Sequence, residues 1–484
     1  MSTDSAIFLS NLFPILNFIS VLPYSTKRHE DMKIIIIGAG ELGQLLAERL
    51  SSARNDVTII DVSKEGFARI HEKLDVMTLA GDATNVKIME EAGIQKADML
   101  VAVSGDQASN ILACMIAKHL GVQKTICRVY SMDTFDADLD IKPEFYGIDK
   151  AFSSPAECAN SIIESLRRHV ILESIQFSNH DATLITAVVT SASPLQGVHL
   201  QDIPNTELLS KIRIAALVRE RQLMVPRADT MIYQGDKLYI AGHKEYVEQF
   251  LDYMEGQPDK KRRLVIIAGA NRLSEIIASK LLDEGTEVRF VEDSRQKSEE
   301  FLNNMPDDVM MVHGDITDEE VLKEAGIAKC DTFIGIEEED EKNILSCILA
   351  KRLGARKVVA VTHKPEYISI LPAMDVIDSG FNTTLVSLNA IFRLMEESSF
   401  RIDSRLLAFQ AFLKEFTIKP SSTLIGKTLR DFRNSTLPSS AVLAMIFRGN
   451  DVITPNGDTE LKEGDVVAAI VTPASEEQIK PYFG

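Results

Sequence analysis

The chain has 484 residues, 45% apolar and 25% charged, with a net charge of −19. That length supports three or four domains of about 100–200 residues each, and the acidic balance argues against nonspecific nucleic-acid binding and adhesion to anionic lipid. The five dispersed cysteines form no C-x-x-C pair, which argues against a disulfide framework or a zinc site and for a reducing compartment.

Residues 6–22 are apolar but broken by Asn11, Pro14 and Asn17, and Lys27-Arg28 follow. The run is short for a membrane span and lacks the leading basic region of a secretory signal. It reads either as an upstream-start extension or as an interfacial anchor. The fold is expected to begin at Met32, with 1–31 as an N-terminal extension.

From there strand and helix alternate. Strands are expected at 33–37, 57–60, 76–79, 99–103 and 125–129, with helices at 41–52, 63–72, 84–92 and 106–120. Nearly all-apolar strands separated by amphipathic helices imply a parallel sheet covered on both faces. This first unit is expected over 32–150.

The first strand runs into Gly38-Ala39-Gly40-Glu41-Leu42-Gly43, and Asp61 closes the second strand eighteen residues after Gly43. This is a dinucleotide fingerprint in its βαβ context. Gly38 permits the tight turn, Gly40 lets backbone amides approach a pyrophosphate, and Gly43 lets helix and strand pack closely. The helix N-terminus adds free N–H donors and partial positive charge. Asp61 can accept from ribose hydroxyls and would repel a 2′-phosphate, which favours NAD over NADP.

Other candidates stand at the strand ends. Gly81, Asp82 and Ala83 follow the third strand, where an adenine would lie. Ser104 and Gly105 follow the fourth, near a phosphate or second ribose. Asp106 and Asn110 open the next helix either as ligand contacts or as its caps. Arg128 ends the fifth strand and either reaches a phosphate or makes a surface ion pair.

After a stretch of expected helices at 151–182 comes a smaller β-rich unit at 183–255, with β-runs at 185–189, 212–218, 223–226 and 237–240. Gly256 to Arg263 read as a linker, and its basic run Lys260–Arg263 reads as a solvated linker end, with a binding patch as the alternative.

The whole pattern then repeats. Val265–Gly269 matches Ile34–Gly38, Glu292 stands where Asp61 stood, and Gly314-Asp315 matches Gly81-Asp82 after two extra residues, placed in the loop at Asn304–Asp307. Asn110-Ile111-Leu112-Ala113-Cys114 recurs as Asn343-Ile344-Leu345-Ser346-Cys347. Leu195-Gln196-Gly197, Pro226 and Gly235-Asp236 recur as Leu424-Ile425-Gly426, Pro455 and Gly464-Asp465. The chain therefore reads A-B-A-B, an internal duplication. The second nucleotide-type unit is expected over 264–380, a crossover helix over 381–403 and the second small unit over 404–484. In the second copy Asn271 and Ser274 replace the second and third glycines. Asn271 is expected to crowd the pyrophosphate path, leaving Gly269, Asn271, Glu292 and Asp315 as a weakened, altered or empty site.

These motifs, GAGELG, TIID, LAGDAT and ADMLVAVSGDQASNILACMIAK, with the N-C-N-C order over about 32–484, resemble TrkA-type regulatory proteins of potassium uptake, built from RCK (KTN) domains. The resemblance implies two Rossmann-like α/β domains, each followed by a small α+β subdomain. It implies NAD or NADH as ligand, with ATP and ADP as competitors. It further implies a homo-oligomeric ring on the inner face of the cell membrane, gating a membrane potassium-translocating subunit. It also implies that helices near 155–168 and 381–397, with Ile162, Ile163, Leu166 and Val170 on one face, are crossover helices that pair subunits. Ordinary packing within one subunit is the alternative for that face.

Three functional readings remain, one of them an assembly protein that holds nucleotides only structurally. A non-enzymatic sensor needs only unequal ligand affinity for two shapes. An NAD-dependent oxidoreductase needs a proton donor or acceptor beside the nicotinamide. The nine histidines, His29, His71, His119, His169, His180, His199, His243, His313 and His363, form no recognisable catalytic string, which favours the sensor.

Overall fold

A computed structural model describes residues 32–483, except 53–54, 72–73, 137–140, 168–169, 178–179, 256–262, 307–308, 368–375, 396–402, 407–410 and 432–440 and the single positions 205, 221, 365 and 450. The N-terminal extension, the linker up to Arg262, Asp307, His29 and His169 lie outside the described residues.

The first sheet has the strands β1 (Lys33–Ile37), β2 (Asp56–Asp61), β3 (Met77–Ala80), β4 (Met99–Ala102), β5 (Lys124–Val129) and β6 (Lys150–Ser153). All are parallel, in the order β3-β2-β1-β4-β5-β6. Ile34–Ile37 are buried on both faces, as parallel strands under two helix layers must be. Helices α1 (Glu41–Ser52), α2 (Glu65–His71), α3 (Val86–Glu91) and α4 (Gln107–His119) connect them. The order reverses between β1 and β4, so the crevice beyond Gly38 and Ser104 is the switch point where such sheets take ligands.

The helix α5 (Ser154–Arg167) leaves this sheet for a five-stranded antiparallel one, built from β7 (Ile171–Phe177), β8 (Ala182–Val188), β9 (Ile212–Arg219), β10 (Gln222–Met224) and β11 (Lys237–His243) in the order β10-β9-β11-β8-β7. It carries α6 (Thr206–Lys211) and α7 (Lys244–Glu255). Strand β6 extends past the limit expected at 150, and β7 lies where only helix was expected. Both segments lack a clean apolar alternation, Lys150-Ala151-Phe152-Ser153 being only four residues long.

The second half repeats this layout. Strands β12 (Leu264–Ala268), β13 (Glu287–Glu292), β14 (Met310–His313), β15 (Thr332–Gly335), β16 (Lys357–Thr362) and β17 (Ser379–Asn382) form the second parallel sheet, in the order β14-β13-β12-β15-β16-β17. Its last strand also passes the expected limit, at 380. The helices are α8 (Arg272–Asp283), α9 (Arg295–Leu302), α10 (Glu319–Glu324), α11 (Asp340–Arg352) and α12 (Thr383–Met395). Strands β18 (Asp403–Leu406), β19 (Ala411–Thr417), β20 (Ala441–Arg448), β21 (Asp451–Ile453) and β22 (Val466–Val471) follow, with α13 (Pro473–Phe483) closing the chain's described part.

The two halves exchange helices. Ile162, Ile163 and Leu166 of α5 are buried with Val265, Ile277 and Leu281 of the second half. Leu388, Ile391 and Met395 of α12 are buried with Ile34, Leu46 and Val57 of the first. Each helix thus completes the core of the sheet it does not follow. The expected apolar face of α5 exists, but it joins halves of one chain, and Val170 belongs instead to the core of the first small unit. Lysines close both joints: Lys124 Nζ donates to Met395 O at the end of α12, and Lys357 Nζ donates to Ser165 O (2.7 Å) and Ile171 O (3.1 Å). A cation at a helix C-terminus satisfies orphan carbonyls and complements the macrodipole.

The small sheets face each other through Leu184, Ala216 and Tyr239 on one side and Val442, Met445 and Ile470 on the other. The repeated Gly-Asp landmarks have a shared structural role. Asp236 and Asp465 are almost fully buried, and each is gripped by an arginine of its own sheet, Arg219 at 2.7 Å and Arg448 at 2.8 Å.

Candidate functional site

In the first half the turn after β1 is fixed by its neighbours. Gly38 has φ +103°, and a Cβ there would lie 2.8 Å from the Ser104 backbone. A Cβ on Gly43 would lie 1.9 Å from Gly38 O, so the helix can sit this close only with glycine there. Around Gly40 nothing lies within 4 Å of a built Cβ, so this side of the turn is open. Asp61 at the end of β2 accepts from Ala39 N at 2.6 Å and from Ser63 N at 2.8 Å. One carboxylate offers about four acceptor sites, so room remains for hydroxyl donors. Among the described residues, the amides of Gly40, Leu42 and Gly43 donate to no protein acceptor. Glu41 begins α1 and is exposed, while Leu42 is buried under the turn. Open approach, free amides and a helix N-terminus together suit an anionic group such as a phosphate.

The remaining candidates divide. Gly81 N donates to Asp61 O at 2.9 Å, and a Cβ on Gly81 would strike Ile88 at 2.8 Å. Asp82 is exposed but engaged locally, accepting from Thr84 N (2.8 Å) and Thr84 Oγ1 (2.7 Å), which lower its carboxyl below the usual range. Ala83 is buried in the core, and so stands behind the crevice wall. Asp106 caps α4 through Ser109 N at 2.9 Å. Asn110, fully buried, accepts from Ser104 N (3.0 Å) and donates to Ser104 O (3.0 Å) and Arg128 O (3.1 Å), fastening the ends of β4 and β5. Both are structural. Gly105 is exposed at the same rim. Arg128 is half-buried, and desolvation lowers its pKa. Among the described residues no carboxylate pairs with it.

The second half has the same backbone and different chemistry. Gly269 turns at φ +113°, and Glu292 accepts from Ala270 N (2.8 Å) and Ser294 N (2.9 Å), as Asp61 does from Ala39 and Ser63. Yet Asn271 Oδ1 accepts from Leu273 N (3.0 Å) and Ser274 N (3.2 Å), and its Nδ2 donates to Ile336 O at 2.7 Å. Asn271 N is taken by Ser274 Oγ at 2.8 Å. The amides that would meet a phosphate are therefore satisfied by the chain's own side chains, a reciprocal capping box. The sequence anticipates the crowding by Asn271 but not that Ser274 completes a cap. Asp315 repeats the turn of Asp82, accepting from Thr317 N at 2.8 Å.

Where the first half has Ser104 and Gly105, the second has Glu337 and Glu338. Carboxylate oxygens of Glu292, Asp293 and Glu337 all lie within 4.8 Å of one another. Lys342 stands 3.4 Å from Asp293 and Lys297 3.2 Å from Glu338, so lysines offset the cluster. Burial, then the charge of Glu292, pushes the Glu337 carboxyl up to about 7. Among the described residues, Glu337 Oε1 is buried without a hydrogen-bond partner. Glu292 is the expected counterpart of Asp61, whereas Asp293, Glu337 and Glu338 carry no motif and could have been found only by aligning the two copies residue by residue.

A cavity of about 250 Å³ lies at the seam between halves, lined by Leu42, Arg128 and Tyr130 from one side and Glu337, Glu338 and His363 from the other. His363 Nδ1 lies 2.9 Å from Asp340 Oδ1, but that carboxylate also accepts from His363 N (2.8 Å) and Lys364 N (2.9 Å). Its counterpart Gln107 does the same for Tyr130 N, at 2.6 Å. Asp340 thus ties down the end of β16, as Gln107 ties that of β5.

Comparison with known proteins agrees with this layout. Residues 34–153 and 265–382 match the TrkA-N domain, and 184–255 and 413–484 match the TrkA-C domain. A Trk system potassium uptake protein TrkA homolog from Archaeoglobus fulgidus is 31% identical over 452 residues, covering 93% of this chain and 100% of that one. The TrkA protein of Halomonas elongata is 29% identical over 447 residues, covering 91% and 96%. Among solved structures, the GsuK channel bound to NAD has a TM-score of 0.58 at 18% identity, covering 99% of this chain and 84% of that one. The GsuK RCK domain scores 0.57, also at 18% identity, covering 94% and 95%. Both structures share the fold. With the domain order, the paired parallel sheets and a full-length relative in agreement, this chain belongs to the TrkA family.

Proposed function

We propose that the chain is a non-enzymatic regulatory subunit of potassium uptake that holds NAD or NADH in the crevice at Gly38–Gly43. Asp61 holds the adenosine ribose, the Gly40, Leu42 and Gly43 amides hold the diphosphate, and Arg128 meets its far side. Gly81, Asp82, Ser104 and Gly105 border the ligand, and ATP and ADP compete for the same amides. Copies of the chain form a ring under a membrane potassium-translocating subunit, on the cytoplasmic face, and nucleotide occupancy biases the ring's shape. No helix among the described residues is long and apolar enough to cross a membrane.

The observation that carries this reading is the contrast between unsatisfied amides in the first turn and the self-capped second turn. Relatives named for Trk potassium uptake and a neighbour of the same fold named as bound to NAD support it. The ligand acts by binding one ring shape better than another, since equal affinity shifts nothing.

Titration of the purified chain with NAD, NADH, ATP and ADP tests the site, with one equivalent bound per chain as the expected result. Asp61→Ala is expected to abolish binding and to remove the nucleotide response of potassium uptake in cells. Uptake that still answers to nucleotide after binding is lost would overturn the assignment.

A further inference from the structure

The seam cavity sets Leu42 and Arg128 of the first half against residues of the second. In sheets of this topology a dinucleotide lies across the switch point, with one nucleoside on each side of the central crevice. With the adenosine side at Asp61, the distal nucleoside passes over the ends of β4 and β5, which leads into the seam. Leu42 and Arg128 belong both to that crevice and to the cavity wall. The opposite wall is Glu337 and Glu338, in the places where the first half carries Ser104 and Gly105.

We infer that this acidic wall reads the charge of the distal ring, so that the first site prefers oxidised NAD⁺, with its cationic pyridinium, over NADH, whose dihydropyridine is neutral. The inference rests on the first crevice being the nucleotide site. Among the described residues Glu337 Oε1 is buried without a hydrogen-bond partner, so no protein donor satisfies this oxygen of the wall. Glu338 is exposed at the rim, with one lysine contact at 3.2 Å. Arg272 does not cancel the wall. Its guanidinium is engaged by Glu275 at 2.8 Å and by Asp133 at 2.6 Å. Arg128 stands on the crevice side, where the diphosphate passes. The second half, whose own turn is closed by Asn271, thereby serves the first as a sensor surface.

The test is titration of the full chain with NAD⁺, NADH and ADP-ribose at pH 8, where Glu337 is ionised. The wild type is expected to bind NAD⁺ about five- to tenfold more tightly than NADH, the effect of one unit charge facing carboxylates across a partly dry seam. Glu337→Gln combined with Glu338→Gln is expected to bring the ratio to about one and leave ADP-ribose affinity unchanged. Glu338→Lys alone, at an exposed position that folding tolerates, is expected to lower the ratio below wild type. A ratio unmoved in both variants while ADP-ribose still binds overturns the acidic-wall inference alone. Failure of ADP-ribose to bind the wild type overturns the crevice assignment, and this inference with it.

Discussion

The turns at Gly38–Gly43 and Gly269–Ser274 occupy the same place in two copies of one fold. Each follows a buried strand, each reverses at a glycine of positive φ, and each has its second amide held by an acid at the end of the neighbouring strand. What separates them is the occupant of the helix N-terminus. Among the described residues, three amides of the first half have no protein acceptor, and in the second Asn271 and Ser274 satisfy them. The fold therefore does not depend on the fingerprint glycines as a set. It needs the turn and the acid, while a ligand site needs the amides left free. A half whose turn is capped by its own side chains keeps its place as a packing partner.

The largest effect that sharpens the contrast comes from Gly43→Val. With 1.9 Å from a built Cβ to Gly38 O, the helix must shift and take its amides with it. Nucleotide affinity should fall at least about a hundredfold, roughly 2.7 kcal/mol or more, alongside an overpacking loss of about 1–3 kcal/mol in stability. Calorimetric titration and thermal unfolding measure the two. Ser274→Ala in the other half should leave the affinity of the first site unchanged.

The halves are alike in how they depend on each other, and Ile391→Ala tests that. Ile391 lies on α12 of the second half but is fully buried in the core of the first. Its truncation should cost about 2–5 kcal/mol, read by denaturant unfolding. Because the helix is exchanged, the loss should appear in one cooperative transition shared by both parallel sheets. Separate transitions for the halves would break the picture of interlocked cores.

Much of this was legible in sequence, and the residues explain which part. The tight turn at Gly38 and the close helix packing at Gly43 are legible because each solves a local steric problem that fixed spacing reveals. The repeated Asn110 and Asn343 are equally visible, and the structure gives their reason, since each fastens two strand ends. The exchange of α5 and α12 was legible only as an apolar face. Ile162 and Ile163 look the same whether they cover their own sheet or another. Strand β6 is too short to show a period. Glu337 carries no signal alone, because its meaning depends on a cavity walled from residues more than 200 positions away, such as Arg128.

The lysines that clasp the exchanged helices offer a difference that pH can expose. Lys357 is buried between Ser165 O and Ile171 O, and burial lowers its pKa to about 8. In the unfolded chain it titrates near about 10.4. Between those values the unfolded state binds more protons, so this residue's contribution to stability rises with pH through that window and is missing below pH 8. At about 1.4 kcal/mol per pKa unit, the ceiling is about 3 kcal/mol. Lys357→Met should flatten the stability–pH curve between pH 8 and 10, measured by urea unfolding. An unchanged slope would mean that the α5 joint admits water.

The smallest expected change in stability is the most direct attack on the contrast between the turns. Asn271→Gly keeps a residue suited to the N-cap, so the helix should lose only a few tenths of a kcal/mol. It removes the side chain whose oxygen holds Leu273 N and Ser274 N and whose amide holds Ile336 O. If self-capping alone closes the second crevice, titration of this variant should show a second, weaker equivalent of ADP, with Glu292 in place for its ribose. If binding stays at one equivalent, the exclusion lies in Glu337 and its neighbours, which oppose a diphosphate by charge. Combining Asn271→Gly with Glu337→Gln then separates the two causes. A second equivalent that needs both changes would mean that the half is closed twice, once by a hydrogen-bonded plug and once by an acidic field.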